Sequence, residues 1–504
     1  MSGWTIYRSR GEHELFRELS LDELRGSEQE IAEETASASG APPLNGEREQ
    51  PDVTVKTANA HDTSSQAAAA VTLDFSERGQ TMDGFGASFT DSAAYLIHQV
   101  LDEQIREDLM VKLFDAEKGI GLSVLRNPMG ASDYARSIYS YDDLPEGDSD
   151  PQLARFSIAH DEADVIPLTQ KALELNPDIK LMASPWSAPG WMKTSGSMLG
   201  GRLKPEYREA FANYFVRYIQ AYAVHGLPIH AVTPQNESLY EPLHYPSMLM
   251  PADEQTVLIR DHLKPAFERA GISTKILCYD HNWDRPDYPL EVLEGAGDAV
   301  DGVAWHWYGG NASAQSDVWK AVPGKEVHFT EGSGGEWIPP FEQAFSNVLR
   351  TGIDILRHNS QSFVLWNMAL DEHNGPTVPG FGKSTCRGIV QVNQATGELT
   401  YTLDYYALAH FSKVIRPGAV RIGSSCPAEE IRSVAFENRD GSIAVVLFND
   451  GEQSRQISLE WSGMLSTGKN ESESVSPSTR RADDREISFN VEAKSAVSLL
   501  YTAE

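Results

Sequence analysis

The sequence has few cysteines, no long apolar run and a shortage of basic residues. Its 504 residues include three cysteines, Cys278, Cys386 and Cys426, which lack the spacing of a metal site and cannot all pair within one chain. No segment approaches the ~18 consecutive apolar residues of a membrane helix, and the first 30 residues contain no apolar core of a secretory leader. We therefore expect no integral membrane segment, and a protein that is cytoplasmic as the sequence stands or secreted if a leader was removed.

The shortage of basic residues narrows the choice of partners. Lys and Arg number 42 against 73 Asp and Glu, so the formal net charge is −31. Such a field repels phosphate backbones and anionic lipid surfaces, which argues against nucleic-acid binding. Neutral partners are favoured instead. At roughly 100 to 200 residues per domain, the length allows several domains with a large core.

The ends of the chain differ from its middle. Residues 1–50 begin as a charged stretch and continue with Ser, Ala, Pro, Gly and acidic residues, which predicts a flexible acidic N-terminal extension. Residues 51–80 contain two short β-like runs, and residues 413–504 alternate apolar and polar positions around Asp-Gly turns. These two segments are predicted to form one β-sandwich beside the central part of the chain.

The central part, residues 81–412, alternates short apolar runs with longer helical patterns. Eight strand–helix units fit an α/β fold of the (β/α)₈ barrel type better than an open doubly wound sheet. The runs are TMDGFGASFTD (81–91), GLSVLRNPM (121–129), IKLMASPW (179–186), IHAVTPQNE (229–237), TKILCYDH (274–281), VDGVAWHWY (300–308), KEVHFTEGS (325–333) and QSFVLWNMAL (361–370).

Barrel enzymes carry their reactive side chains where the strands end. Two of the eight ends carry glutamates, Glu237 in the fourth run and Glu331 in the seventh, on opposing sides of the predicted barrel mouth. Paired carboxylates cleave glycosidic bonds, and a separation of about 5 to 5.5 Å gives retention of anomeric configuration. A single such Glu is more often a solvated loop carboxylate, but two in register with polar and aromatic neighbours favour catalysis.

The neighbours suggest how the two glutamates divide the work. Asn236 precedes Glu237 and can reach a sugar 2-hydroxyl, which favours Glu237 as acid/base and Glu331 as nucleophile. Arg126 and Tyr308 could donate hydrogen bonds that keep Glu331 ionised, while nearby negative charge would raise the pKa of Glu237.

Aromatic residues support a sugar ligand, and nothing in the sequence calls for a cofactor. Eight of the ten tryptophans lie between Trp186 and Trp366, and indole rings stack on the C–H faces of sugars. His281, His306 and His328 lack the spacing of a metal site, so we predict neither a catalytic metal nor a cofactor.

Six ordered motifs together resemble glycoside hydrolase family 30, the group that includes lysosomal-type glucosylceramidases and microbial β-1,6-glucanases. The resemblance covers residues 51–504 and implies a barrel with a side β-sandwich that hydrolyses β-glucosides with retention and without cofactor. The motifs are DGFGASFTDSAA, MASPWSAPGWMKTSGSMLGG, VTPQNE, AWHWYGG, HFTEGSGG and VLWNMALD.

The resemblance also implies roles for single residues. Glu237 becomes the acid/base and Glu331 the nucleophile, and Asn236 binds the 2-hydroxyl. The remaining matched positions are Asp91 and Trp186 on the far hydroxyls, Trp366 on one face of the glucose, and Arg126, His306 and Tyr308 around the nucleophile.

The sequence leaves four functions open. Ser238 stands where the glucosylceramidase pattern has Pro, and YDHNWDRPDYP (279–289) is similar to the glucanase-like branch, so hydrolysis of β-1,6-glucan or gluco-oligosaccharides is the leading hypothesis. Glucosylceramide hydrolysis is the alternative within the enzyme class. The alternatives that are not enzymes are a noncatalytic glycan-binding protein and an interaction protein that uses the acidic N-terminal extension.

Overall fold

A closed barrel of eight parallel strands forms the centre of the molecule. The computed structural model describes residues 3–10, 14–25, 68–335, 341–462 and 487–503. In the closed barrel each strand pairs in parallel with its two neighbours, and the pairing of strands Gly302–His306 and Glu326–Glu331 closes the ring. The barrel strands are β4 (Gly84–Ser88), β5 (Val124–Pro128), β6 (Lys180–Ser184), β7 (Ile229–Val232), β8 (Lys275–Asn282), β9 (Gly302–His306), β10 (Glu326–Glu331) and β11 (Ser362–Asn367).

Helices connect these strands and cover the outside of the barrel. Two of them contain π-helical turns, at Leu96–Val100 and at Leu258–Leu263. None of the described helices is long and apolar enough to cross a bilayer. The α-helices are Asp91–Tyr95, Glu103–Phe114, Val165–Leu175, Arg208–Val224, Ala252–Val257, Lys264–Ala270, Asp287–Ala296, Ser313–Ala321, Phe341–Arg357 and Leu403–Ser412, with 3-10 turns at Gly190–Met192, Pro205–Tyr207 and Gly297–Ala299.

The barrel interior is packed with apolar side chains. One buried cluster takes a single residue from each of six strands, so the strands are held by a filled core and not around a pore. Gly86 allows β4 to approach β5 closely, because a Cβ atom there would lie 1.7 Å from the carbonyl oxygen of Val124. The cluster consists of Val124, Met182, Ala231, Leu277, Ala304 and Val364.

A nine-stranded sheet lies beside the barrel and encloses a second core. Along β17 (Ile443–Asn449), Ile443, Val445 and Leu447 enter this second core, while the alternate side chains join the core of the barrel. The period of two therefore explains why β17 is buried on both faces. The other strands, in sheet order around β17, are β19 (Ile487–Val491), β18 (Arg455–Ser462), β3 (Ala69–Thr81), β15 (Val420–Ser425), β16 (Ile431–Glu437), β20 (Ala496–Thr502), β1 (Gly3–Arg10) and β2 (Glu14–Leu19).

These strands confirm the predicted fold class of a (β/α)₈ barrel with a side β-sandwich built from both ends of the chain. The β-like run at 53–57 lies outside the described residues. A small third sheet, which the sequence did not predict, joins β12 (Ala369–Asp371), β13 (Val390–Val392) and β14 (Leu399–Tyr401).

The N-terminal prediction is wrong for the part that the structure describes. Residues 1–50 were expected to form a flexible extension, but β1 pairs with both β20 and β2 inside the nine-stranded sheet. The charges that suggested flexibility are partly buried: Arg8 and Glu14 form an ion pair with an Nε–Oε1 distance of 2.5 Å. Ile6 is fully buried in the core of the sheet.

This placement predicts the effect of two substitutions in the N-terminal strands. Ile6→Ala should lower the free energy of unfolding by about 2 to 5 kcal/mol, because it leaves a cavity in the second core. Glu18→Ala, on the exposed side of β2, should change it by no more than about 0.5 kcal/mol. Chemical denaturation of both variants measures the difference, and equal, negligible effects would contradict the integration of β1 into the sheet.

Candidate active site

Asp280 lies at a bulge that breaks the regular pairing of β8 with β9. The register shifts between Tyr279 and His281, and Tyr279 and Asp280 adopt positive φ angles of 74° and 56°. Such conformations are costly for side chains other than glycine and concentrate at functional sites. The bulge turns the Asp280 carboxylate into the mouth of the barrel.

The buried Asp280 carboxylate is a hub of hydrogen bonds. Its Oδ2 accepts from Arg126 Nη2 at 2.7 Å, and from the hydroxyls of Ser184 and Thr233 at 2.5 and 2.6 Å. Its Oδ1 accepts from Thr330 Oγ1 at 2.7 Å and lies 3.1 Å from His306 Nε2. Although burial opposes ionisation, Arg126 and His306 hold the pKa of Asp280 well below its usual range.

Arg126 connects this hub with the two sides of the cavity. Its Nη1 donates to Glu331 Oε2 at 3.0 Å, and its Nη2 donates to Asn236 Oδ1 at 2.7 Å. The hydroxyl of Tyr308 donates to the other oxygen of Glu331 at 3.1 Å. Both carboxylate oxygens of Glu331 are therefore held in place by hydrogen bonds.

Glu237 follows β7 and faces the same imidazole as Glu331. The Nδ1 atom of His306 lies 3.4 Å from Glu237 Oε1 and 3.9 Å from Glu331 Oε1. The two Oε1 atoms cannot be farther apart than the sum of these two distances. This upper limit allows the separation of roughly 5 to 5.5 Å that retaining glycosidases have. Glu237 has a positive φ of 48°, and its backbone N–H donates to the carbonyl oxygen of Asp280 at 2.9 Å.

The pKa values of the two carboxyl groups and of the His306 imidazole depend on one another. Burial, together with the charge of Glu237, raises the pKa of Glu331, whereas the imidazoles of His306 and His281 outweigh burial and lower that of Glu237. Against its own burial, His306 has its pKa raised to about 9 by Glu331, Asp280 and Glu237. The two pKa shifts are the reverse of the expected ones, because two imidazoles face Glu237 and outweigh the nearby negative charge of Asp280.

These groups open into a cavity of about 880 Å³. The indole rings of Trp186 and Trp366 stack on each other in its wall, with centroids 4.7 Å apart and planes at 20°. The Arg126 guanidinium lies 5.1 Å from the centroid of Trp186. Arg126 and His306 lie buried behind the lining, which contains six of the other seven predicted residues: Trp186, Asn236, Glu237, Tyr308, Glu331 and Trp366.

Asp91 differs from this group. Its two oxygens accept hydrogen bonds from Arg136 at 2.7 and 3.0 Å and contact His160 at 2.9 Å, and it is not among the residues that line the cavity. Asp133 lines the cavity instead, with a buried Oδ1 that has no hydrogen-bond partner. Burial and the charge of Glu331 raise the pKa of Asp133 well above its usual range.

Asp133 and Asp280 are the site residues that the sequence reasoning missed. Asp280 falls within the fifth predicted run, next to His281, so its position near a strand end was the available signal. Asp133 lies in the loop after β5, where no periodicity marks it. Among the residues that the structure describes, Glu237, His281 and His306 are the one group that could hold a metal ion, with ligand atoms within 4.8 Å of one another.

Comparisons with known proteins agree with this fold. The Glycosyl hydrolase family 30 TIM-barrel domain matches residues 82–415, and the beta sandwich domain of the same family matches residues 418–499. The chain therefore belongs to glycosyl hydrolase family 30, and it is a β-glycoside hydrolase that acts on a carbohydrate substrate.

The relatives include proteins named as endo-β-1,6-glucanases and proteins named as glucosylceramidases. An endo-1,6-beta-D-glucanase of Aspergillus fumigatus is 34% identical over 75% of this chain and 81% of its own length. A putative glucosylceramidase of Caenorhabditis elegans is 29% identical over 78% of this chain and 79% of its own. A solved structure of an endo-beta1,6-glucanase superposes with a TM-score of 0.80 at 28% identity and covers both chains fully.

The raised pKa of His306 predicts a pH-dependent contribution to stability. The folded protein keeps a proton on His306 up to about pH 9, whereas the unfolded chain releases it near the ordinary value of 6.5. The contribution is therefore complete below pH 6.5 and is lost as the pH rises through about 9. The difference in unfolding free energy between the wild type and His306→Gln should shrink over this interval.

His410 supplies a matched control for this measurement. It is also fully buried, but burial lowers its pKa to about 3, so it is neutral throughout the interval. The difference between the wild type and His410→Gln should stay constant from pH 6.5 to 9. Parallel pH dependence in both variants would refute the charge assigned to His306.

Proposed function

We propose that this protein hydrolyses internal bonds of β-1,6-linked glucan with retention of configuration, with Glu331 as nucleophile and Glu237 as acid/base. The observation that carries the proposal is the convergence of two carboxylates, the buried Glu331 and the partly buried Glu237, on one imidazole at the floor of a tryptophan-lined cavity. Opposed carboxylates about 5 to 5.5 Å apart perform double displacement at an anomeric carbon, and the distances of both groups from His306 allow this separation.

The contacts around each carboxylate support this division of roles. Arg126 and Tyr308 hold both oxygens of Glu331 with direct hydrogen bonds, which fixes the orientation that a nucleophile needs. Glu237 has only the longer contacts to imidazoles, so its side chain is freer to exchange a proton with a leaving group or a water molecule. In the first step Glu331 attacks the anomeric carbon while Glu237 protonates the glycosidic oxygen, and in the second Glu237 activates the water that releases the sugar.

The proton that Glu237 needs is available within the cluster. Glu331, Glu237 and His306 titrate as interacting groups, so protons distribute over all three. When a sugar displaces solvent from the cavity, a negative charge on Glu331 is stabilised by Arg126 and by the protonated His306. The proton then resides on Glu237, which lies next to the leaving oxygen.

The cavity wall provides the complementary contacts for a glucosyl ring. The stacked pair of Trp186 and Trp366 offers an aromatic face, and the unpartnered Oδ1 of Asp133 can accept from sugar hydroxyls. The Asn236 side-chain oxygen is taken by Arg126, which leaves its amide group for the 2-hydroxyl. We assign to Asp133 the hydroxyl contact that the sequence assigned to Asp91.

The β-1,6-glucan assignment is supported by relatives and by the breadth of the cavity. Fungal relatives at 33 to 34% identity and a structural neighbour are named as endo-β-1,6-glucanases. At about 880 Å³ the cavity exceeds the volume of a single sugar ring, and a second aromatic group of Tyr245, His244 and Phe381 lies on its side, with centroids 5.0 to 5.5 Å apart. This space suits further glucosyl units on the leaving-group side.

Substitution of the two glutamates separates their roles. Glu331→Gln should lower kcat/KM for an aryl β-glucoside on the order of 10³-fold. In Glu331→Ala, whose short side chain leaves room for the anion, azide should restore turnover with an α-glucosyl azide as product. Glu237→Ala should lose about 10²- to 10⁴-fold on glucan and far less on an activated aryl glucoside, with azide giving the β-product. The anomeric configuration of the azide products, read by NMR, distinguishes the two assignments.

Glu326 is the matched control, because it lies at the opposite end of the same strand and pairs with Lys275. Glu326→Gln should retain wild-type activity. If both alanine variants gave the same azide anomer, or if Glu331→Gln remained as active as Glu326→Gln, the double-displacement assignment would be wrong.

A substrate panel tests the linkage. We expect kcat/KM on β-1,6-glucan at least about tenfold higher than on β-1,3-glucan or glucosylceramide, a difference of about 1.4 kcal/mol. Oligosaccharides should appear before glucose, and NMR should show the β-anomer first. Faster hydrolysis of glucosylceramide would favour the function named for the Caenorhabditis relatives, and glucose as the first product would exclude endo attack.

A further inference from the structure

Three potential metal ligands converge at the floor of the cavity. Glu237 Oε1 lies 3.4 Å from His306 Nδ1 and 3.7 Å from His281 Nδ1, and the three residues offer ligand atoms within 4.8 Å of one another. Two imidazoles and one carboxylate form a ligand set that binds zinc with a fourth position open. The cavity leaves that fourth position accessible to water.

The Nδ1 atom of His281 has no hydrogen-bond partner. His281 is nine-tenths buried, with 9% of its surface exposed, and this nitrogen belongs to the buried polar atoms without a partner. A buried polar atom without a partner is costly, so a ligand that bonds to it gains affinity. Because His281 Nδ1 contacts Glu237, that ligand would sit between the two side chains.

His306 is oriented in the way that metal-bound histidines are. Its Nε2 lies 3.1 Å from Asp280 Oδ1, and the carboxylate fixes the ring so that Nδ1 faces Glu237. A carboxylate behind the distal nitrogen fixes the tautomer and strengthens the imidazole as a ligand. Asp280 is itself held by Arg126, Ser184 and Thr233, so the orientation is rigid.

We propose that a zinc-class divalent transition-metal ion binds reversibly to Glu237, His281 and His306 and competes with the sugar for the active site. Bonds of about 2.0 to 2.2 Å to nitrogen and oxygen require the ligand atoms to approach slightly, mainly by movement of His281. The ion takes the place of the proton on His306 Nδ1. Imidazole ligands favour zinc, copper and nickel, whereas magnesium and calcium prefer all-oxygen sites.

The inhibitory consequence rests on the proposed role of Glu237. A carboxylate bonded to a metal ion cannot deliver a proton to the glycosidic oxygen, and the ion occupies space beside the anomeric carbon. Glu331 Oε1, which lies 3.9 Å from the same His306 nitrogen, would face the cation in place of a sugar. Metal and substrate therefore exclude each other.

Calorimetric titration of zinc chloride into the chelator-treated full chain tests the site without reference to activity. We expect one strong binding event, no comparable event with magnesium chloride, and at least a tenfold weaker zinc affinity in His281→Ala and in His281→Gln. His262→Ala is the control, because His262 forms a histidine–glutamate pair with Glu209 at 3.2 Å on the surface. The control should bind zinc like the wild type.

Steady-state kinetics on an aryl β-glucoside provide the second readout. Zinc should raise KM and leave kcat unchanged in the wild type, with a weaker effect in the folded His281 variants. Unchanged zinc affinity in both His281 variants, or equal loss in His262→Ala, would overturn the proposed site. Zinc binding that depends on His281 but leaves hydrolysis unaffected would keep the metal site and refute both its competition with the sugar and the acid/base role of Glu237.

Discussion

The buried carboxylate of Asp280 is the constraint on which the active site depends. Removing a negative charge from water is costly unless hydrogen bonds and opposite charges replace the lost solvation. Its five partners lie in, or directly after, five other barrel strands: Arg126, Ser184, Thr233, His306 and Thr330. One carboxylate thus joins the strand ends that carry or support both glutamates, because Arg126 and His306 each bond to it on one side and contact a glutamate on the other.

The backbone that positions Asp280 and Glu237 is locally strained. Tyr279, Asp280 and Glu237 each have a positive φ, a conformation that costs on the order of 1 to 3 kcal/mol. A regular strand would direct alternate side chains to opposite faces, so the bulge is what allows Asp280 and His281 to serve the same site. The hydrogen bond from Glu237 N to Asp280 O couples the strained segments.

The barrel and its glutamates could be predicted because their signals are local. Each apolar run ends in polar or aromatic residues, and eight such runs in series specify a closed parallel barrel and place Glu237 and Glu331 at its mouth. The bulge at Asp280 and the loop position of Asp133 have no such signal. Both depend on contacts between distant segments, such as the hydrogen bond from Val378 N to the carbonyl oxygen of Asp133.

The N-terminal strands escaped prediction for a related reason. Their charged residues resemble a solvated segment, but Arg8 and Glu14 neutralise each other, and β1 finds its partner β20 at the opposite end of the chain. His410 completes the connection, since its two ring nitrogens lie 2.8 Å from the hydroxyls of Ser9 and Ser498. The sandwich therefore joins both termini to a helix of the barrel.

The electrostatics that suit glycoside hydrolysis also expose the site to metal ions. Two carboxylates repel each other at short distance unless a positive charge lies near both. His306 can supply this charge, because its protonated ring faces Glu237 and Glu331. The same ring, held by Asp280, is a good metal ligand once the proton leaves. His281 completes the metal-ligand set, because it supplies a second imidazole nitrogen. It does so without a hydrogen bond to the Asp280 carboxylate. The side chain of His281 can therefore change while Asp280, Arg126 and His306 stay in place. Its loss also removes one of the two imidazoles that lower the pKa of Glu237, so metal binding and proton transfer meet at this residue.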